Sequence, residues 1–186
     1  MSAGAERVTV DGQAKRQATL AEARALAHPL RLRILRLCLD TALTNRQLAD
    51  RLGMDPGTVL HHVRTLTRTG FLAAEPVRAG NRGALERPYL ATRKSWRVDV
   101  DEVDREGAVG LAMVDAFRDQ FAEAGPASTV RTAMVGIRLL PEQLEAFADR
   151  MDALVRDLIT ADDPAGQPLS FYLGLHRQAR PQPAEN

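Results

Sequence analysis

The apolar positions of this chain change period several times, and each change marks an element. Thr19 with Glu22 three residues later forms a capping box ahead of "LAEARALA", which predicts a helix that stops at His28–Pro29. Pro29 restarts a helix at its first turn, where its missing N–H costs nothing. Leu30, Ile34, Leu37 and Cys38 form one stripe of that helix, and Arg31, Arg33 and Arg36 cover much of the rest. Cys38 therefore reads as a small core residue rather than a reactive thiol. A second capping box, Thr44 with Gln47, opens a short helix whose apolar face is Leu48, Ala49 and Leu52 and whose end is Gly53. Asp55–Pro56 then starts another helix, so two short helices flank a turn of about three residues, the helix-turn-helix pattern. In this second helix, Val59, Val63 and Leu66 share one side. Gly57, Thr58, His61, Arg64, Thr65 and Arg68 share the opposite side, with His62 at the border. Gly70 ends it.

Next come "FLAAEPVR" and "ALERPYLAT", two strands joined by the Gly-rich tip "AGNRG" that carries Arg82. Pro76 and Pro88 suit edge positions or irregularities in this hairpin. A hairpin directly after a helix-turn-helix is a wing, here 72–92. Trp96, the only tryptophan, is expected at the junction that follows. From Val103 to Ala124 the small or apolar positions Val103, Gly107, Gly110, Val114, Phe117, Phe121 and Ala124 alternate spacings of four and three, as in a coiled-coil seam. Glycines inside a helix weaken it by about 1 kcal/mol each relative to alanine, and close approach of a partner helix would explain them. The partner is most simply a second copy. Packing against the chain's own first helix is the alternative, and both can hold.

Beyond 125, Ala133, Val135, Ile137 and Leu139 alternate like a strand, residues 141–160 are a strongly amphipathic helix, and Leu169, Phe171, Leu173 and Leu175 alternate again. Two strands and one helix are too little to stand alone. This β-α-β unit must meet the helix at 103–124, the winged helix or another subunit. The expected organisation is an N-terminal arm at 1–18 with a short strand at "RVTV" and a winged helix-turn-helix domain at 19–97. A dimerisation helix with a C-terminal β-α-β extension follows at 98–186, ending in the frayed tail "RQARPQPAEN". The fold class is mainly α with small β, that is, α+β.

Charge sharpens the picture. The net charge of +1 hides an asymmetry: residues 1–97 hold 17 Lys and Arg against 8 Asp and Glu, a net of +9, and residues 98–186 hold 8 against 16, a net of −8. A basic half joined to an acidic one fits a chain of which only one half faces a polyanion, with chance variation as the alternative. Of the 25 basic residues 23 are arginine, which a GC-rich genome would also produce. At 186 residues and 45% hydrophobic the chain can form one domain or two small ones. No apolar run reaches the ~18–20 residues that span a bilayer, and the N-terminus has no signal-peptide core. The single cysteine rules out an internal disulfide and fits a reducing compartment. The chain reads as soluble and cytoplasmic.

The adjacent His61 and His62 are the most conspicuous candidates for chemistry. They point about 100° apart on a helix and cannot share one ion, and no third ligand stands at zinc-motif spacing. His28 and His176 are isolated in sequence. No metal and no cofactor is expected. No nucleophile elbow, Walker loop or dinucleotide glycine pattern occurs, Glu142 and Glu145 read as a solvated helix face, and Asp162–Asp163 as a loop, so no enzyme is expected. A DNA major groove, by contrast, admits one α-helix. The face Gly57, Thr58, His61, Arg64, Thr65, Arg68 is polar, rich in donors and free of carboxylates. Gly57 and Thr58 lie in the first turn, where free N–H groups favour a phosphate, and His61 and Arg64 lie one turn deeper, within reach of base edges. His62 would mainly pack or touch a phosphate. Arg78, Arg82 and Arg87 on the wing would follow the backbone or enter the minor groove, and Thr44 and Gln47 complete the expected DNA-facing set.

The runs "ALAHPLRLRILRLCL", "TNRQLADRLGMDPGTVLHHVRTLTRTGFL" and "RPYLATRKSW" resemble the winged helix-turn-helix repressors of the arsenic-repressor (ArsR) type, over about residues 20–97. The resemblance implies a dimeric DNA-binding transcriptional regulator with a recognition helix at 56–69, and two such helices in a dimer would call for a double-stranded, pseudo-palindromic operator. Asp55 replaces the family's usual serine and remains an N-cap residue. His62–Val63 matches its His-Leu pair, and Leu60–His61 departs from the usual residues before it. Metal-sensing members carry Cys-x-Cys on the helix matching 44–52, or Asp and His ligands on the helix matching 103–124. Here the first is "TNRQLADRL", and the second has Asp104, Asp115 and Asp119 but no histidine, so the resemblance argues against the known metal sites. Two other readings stay open. One is a winged-helix protein-interaction module, against which stands the absence of aromatic or aliphatic anchors on the face 57–68. The other is a regulator whose C-terminal segment binds a small-molecule effector, in a pocket lined by Met113, Phe117, Phe121, Met134, Phe171 and Tyr172. Those six also suit an ordinary core.

Overall fold

The structure, a computed structural model, describes residues 15–80, 84–163 and 165–178. Six helices and seven short strands alternate along it. Helix α1 (Leu20–Leu26) has the Thr19–Glu22 capping box, and α2 (Pro29–Leu37) begins at proline. Helix α3 (Asn45–Leu52) has the Thr44–Gln47 box, and α4 (Pro56–Arg68) is capped by Asp55. The described residues thus form a winged helix-turn-helix of α+β class. Its core is one cluster in which Leu26, Ile34, Cys38, Leu48, Val59, Val63, Leu66 and Phe71 are all but sealed from solvent. On α2 the buried stripe is Leu30, Ile34 and Leu35, while Leu37 sits at its margin.

Three strands form the base of the wing: β2 (Leu43–Thr44) and β3 (Leu72–Ala74) flank β6 (Pro88–Ala91), both antiparallel to it. The strand β2 is a finding that the sequence pattern did not suggest, because its two residues read as the lead-in to α3. Farther out, β4 (Arg78–Ala79) pairs with β5 (Leu85–Glu86). Each predicted wing strand is therefore broken in two. The Glu75 N–H still reaches the Pro88 carbonyl at 2.9 Å, but three residues, 75–77, then face the single Arg87, and Pro76 has no N–H to offer a ladder. A parallel pair, β1 (Arg16–Gln17) with β7 (Val98–Asp99), ties the end of the expected arm to the residues after the wing. The strand expected at "RVTV", Arg82 at the wing tip, and most of the tail lie outside the described residues.

The long helix differs from expectation at its start. Helix α5 spans Ala108–Ala124, not Val103 onward. Residues 101–107 form turns, with the Val103 and Asp104 N–H groups donating to the Val100 carbonyl. The Asp104 carboxylate accepts the Val109 N–H at 2.9 Å, and Gly107 caps the helix at φ +68°. A left-handed residue is cheap only for glycine, so Gly107 marks a helix start rather than a weakened interior. Val103 packs on the core from the turn. The buried face of α5 is Val109, Ala112 and Ala116, which lies against α1 and α2. Packing on the chain's own helices is thus realised, while Gly110, Val114 and Phe121 remain exposed.

Helix α6 (Pro141–Thr160) appears as the pattern predicts. Its flanking strands do not: among the described residues, 133–139 and 169–175 belong to no ladder, so the β-α-β extension is a helix between two unpaired segments. Alternation predicts which faces a strand would have, but a ladder also needs an edge to pair with, and the described residues supply none there. No described helix is long and apolar enough to cross a membrane.

The Glu22 carboxylate joins these parts. It is almost wholly buried and accepts both guanidinium nitrogens of Arg16 at 2.9 and 2.6 Å, the Lys94 ammonium at 2.6 Å, and the Thr19 N–H at 2.8 Å. The Arg16 hydrogen bonds are the main reason its pKa falls well below the carboxylate range. Lys94 and the Thr19 amide add to the fall, and burial opposes it. A depressed folded pKa gives stability that is fully present above the unfolded value and is lost as pH falls toward the folded one. Glu22→Gln is expected to cost roughly 2–3 kcal/mol at pH 7. In urea titrations at several pH values the gap to the unmodified protein should narrow below about pH 4.

Candidate nucleic-acid interface

Helix α4 is a two-faced rod of about 20 Å, from 13 residues at ~1.5 Å rise. Val59, Val63 and Leu66 anchor one face in the core. The opposite face carries Gly57, Thr58, His61, Arg64 and Arg68 in solvent, with Thr65 half-buried among them. Arg64 and Arg68 make no ion pair with any described residue. Two guanidinium groups thus stand free on one side of a rigidly anchored helix. The Thr65 hydroxyl donates to the His61 carbonyl at 3.2 Å, so the donors left facing outward on this turn are the ring of His61 and the two arginines.

The angle between α3 and α4 is pinned locally. The Asn45 side-chain amide donates to the Pro56 carbonyl at 2.9 Å across the turn. Nothing in the helix pattern singled out Asn45, because it merely looked like the first residue of α3. Asp55 accepts the Thr58 N–H at 3.0 Å, and a Cβ on Gly57 would sit 2.8 Å from that carboxylate oxygen, so glycine is what lets the cap close. The first turn, where a phosphate is expected, is thus already capped by a side chain of the chain itself. Pro56 has no N–H, the Thr58 N–H is taken, and the Asp55 charge already occupies the positive end of the helix dipole.

Two expected DNA-facing residues turn out to be interior. Thr44 is buried, its hydroxyl accepting the Gln47 N–H at 3.2 Å as the N-cap of α3. Gln47 is exposed, but its carbonyl oxygen accepts the Thr44 N–H at 2.9 Å and only its amide nitrogen is left over. His62 is 8% exposed and packs inward, its ring centroid 4.5 Å from that of His28. His61 meets it edge-on at 5.5 Å. His28, isolated in sequence, is therefore one of three clustered imidazoles. Its Nδ1 accepts the Leu30 N–H at 3.2 Å and caps α2. Helical spacing placed His62 on the border of the buried stripe, and the approach of the α2 N-terminus decided its side.

Burial, with His28, Arg31 and His61 nearby, pushes the His62 pKa down to about 4, and burial with Arg31 lowers that of His28. Arg31, which donates to the Ala25 carbonyl at 2.5 Å and the Arg24 carbonyl at 2.6 Å, is the fixed positive charge beside them. Cys38 is sealed in the core and burial raises its thiol pKa to about 11, which suits a packing residue. On the wing, Arg78 and Arg87 are exposed. The Lys94 ammonium lies 5.2 Å from the Phe71 ring centre and donates to the Thr69 carbonyl at the end of α4 at 2.5 Å, fixing the wing base to that helix. Trp96, half-buried at the junction, lies under the Arg93 guanidinium at 5.3 Å.

The six residues considered for an effector pocket do not enclose one. Phe117 contacts Phe121 and Tyr172 at 6.0 and 5.5 Å between ring centres, but Met134 is 102% exposed and Phe171 largely so. A cavity of about 100 Å³ lies elsewhere, between Arg33, Arg36, Leu37, Arg51, Leu52, Gln120 and Glu123.

A family model described as a helix-turn-helix domain matches residues 26–75, about a quarter of the chain, running from the end of α1 just past β3. No curated protein matches the chain. Among solved structures, reduced HlyU from Vibrio cholerae is 20% identical, with 51% of this chain and 81% of that one covered and a TM-score of 0.34. A mutant of Lactococcus lactis ZitR is 16% identical, with 69% and 73% covered and a TM-score of 0.31. MepR of S. aureus, in a complex with DNA, is 14% identical, with 76% and 81% covered and a TM-score of 0.28.

A buried histidine whose folded pKa lies below its unfolded one leaves the unfolded chain binding the extra proton, so stability should fall as pH drops from about 6.5 toward 4. The slope attributable to His62 approaches ~1.4 kcal/mol per pH unit in that window. His62→Gln is expected to flatten the dependence in denaturant titrations between those limits, and an unchanged slope would assign the proton uptake to another group.

Proposed function

We propose that this protein is a sequence-specific DNA-binding transcriptional regulator, a repressor in the simplest case, acting in the cytoplasm as a homodimer. Helix α4 would enter the major groove and the wing would follow the backbone or the adjacent minor groove. The observation that carries the reading is the outward face of α4: His61, Arg64 and Arg68 stand in solvent on a helix whose other face is locked into the core. The helix-turn-helix match over 26–75 supports it. A protein-binding face would be expected to show aromatic or aliphatic anchors, and α4 keeps its apolar residues inside.

Arg64 can fork onto the O6 and N7 of guanine, and His61 lies one turn toward the helix start. In a dimer, two copies of α4 about 34–36 Å apart would meet successive turns of one duplex face, which calls for a pseudo-palindromic site. The seam on α5, with Gly110, Val114, Phe117 and Phe121 outward or half-buried, is the surface proposed to join the copies. Val103 and Gly107, which precede the regular packing face, would lie at its rim.

The test is selection from random duplexes followed by titration of the selected site. Arg64→Ala should weaken that site by ~1–3 kcal/mol and leave binding to unrelated duplex nearly unchanged. Equal losses on both would reduce Arg64 to a phosphate contact. Affinity should fall linearly with log salt, and failure to select any motif would sink the reading. Light scattering should give a dimer mass, and Leu111→Lys or Val114→Lys should lower it toward the monomer.

A further inference from the structure

The alternating segments beside α6 are the part of the molecule with unused bonding capacity. In 133–139 and 169–175 no backbone N–H or C=O pairs with the backbone of another described residue. The Leu169 carbonyl accepts the Arg36 guanidinium at 2.8 Å, which is a side-chain contact. The apolar side chains are equally unsatisfied: Val135 is 74% exposed, Leu169 62% and Phe171 55%. Leu111, Val130, Met134 and Leu140, each more than half exposed, add to the uncovered apolar surface. A standard interface takes about 800 Å² from each partner, and monomers seldom expose more than a few hundred in one patch.

We propose that 133–139 and 169–175 are strands completed by a second copy of this chain, so that the C-terminal unit becomes a sheet only when two chains meet. This rests on the dimeric reading above and adds to it the surface that closes the pair. Three observations favour a second copy over an unrelated partner. The stretches "AMVGIRL" and "LSFYLGL" contain one charge between them, Arg138, although the half of the chain that carries them is strongly acidic. A partner recognised by charge would find nothing to read there, whereas backbone pairing between identical edges is self-complementary about a two-fold axis. Neither stretch has the proline or inward charge with which a protein normally blunts an exposed edge.

The third observation is position. Segment 169–175 already lies along α5: Tyr172 meets Phe117 at 5.5 Å, and the Ser170 hydroxyl donates to the Gln120 side-chain oxygen at 2.9 Å. A two-fold axis through the α5 seam would therefore bring the segments of both copies to the same side of the molecule. In the sheet so formed, Val135, Ile137, Leu169 and Phe171 would exchange solvent for apolar neighbours, and α6 would cover one face.

Hydrogen exchange read by mass spectrometry, with light scattering on the same full-length samples, tests this. At concentrations where the protein is dimeric, amides in both segments should exchange at least about tenfold more slowly than after dilution to monomer. Val135→Lys with Ile137→Lys should abolish that protection in 169–175 as well as in 133–139, while the amides of α2 and α4 keep theirs and report an intact winged helix. A dimer whose two segments exchange as fast as an unfolded chain overturns the shared sheet and leaves the α5 contact standing. A monomer at every concentration overturns both. Protection that persists in the monomer would mean that the sheet closes within one chain, which also overturns the proposal.

Discussion

The Glu22 carboxylate is the constraint on which the placement of α4 and the wing depends. It closes the N-terminus of α1, holds Arg16 beside β7, and grips Lys94, which in turn donates to the Thr69 carbonyl at the C-cap of α4 and covers the Phe71 ring. One negative charge in a nearly dry position thus fixes the end of α1, the end of α4 and the foot of the wing relative to each other. Burying it alone would be costly, and two cations with a backbone N–H offset the loss of water. The sequence marks only one of these contacts, the capping box with Thr19. A residue that looks like a local helix device is also a long-range tie, because the chain returns past it after the wing.

Helix α4 shows how a surface can be both free and exact. Its hydroxyls at Thr65, Thr67 and Thr69 donate back to carbonyls one turn earlier, and Asp55 and Asn45 hold its start. Little local polar capacity is left to distort it, while Arg64 and Arg68 have no ion-pair partner among the described residues. Several other arginines are committed: Arg33 pairs with Asp119 and Glu123 on α5, Arg93 with Asp40 and Asp162, and Arg31 with the end of α1. The cationic excess of the first half is therefore not uniform. Part of it holds the acidic half in place, and part is left for a partner.

The elements with local signatures were legible from residues alone. Capping boxes, N1 prolines and 3.6-residue stripes located α1 to α4 and α6 closely, and the inward set Val59, Val63 and Leu66 is as the spacing requires. What depended on distant chain was not legible. The side of His62 was set by the α2 N-terminus, the loss of Thr44 to the interior by β2 joining β6, and the start of α5 by an Asp104 cap and a left-handed Gly107 inside what looked like continuous heptad spacing. Alternation at 133–139 and 169–175 gave the faces of strands without the edges that would make them a sheet.

The Asp55 cap has a consequence for how α4 could meet a polyanion. Many helices approach a sugar-phosphate chain tip-first, with the bare amides of the opening turn as the point of touch. Here that tip carries a carboxylate and no spare amide at Thr58, so a head-on approach is repelled. The helix would have to lie lengthwise, shifting its bonding toward the middle and trailing turns, and the recognised bases would be the ones beneath His61 to Arg68 rather than those beneath Gly57.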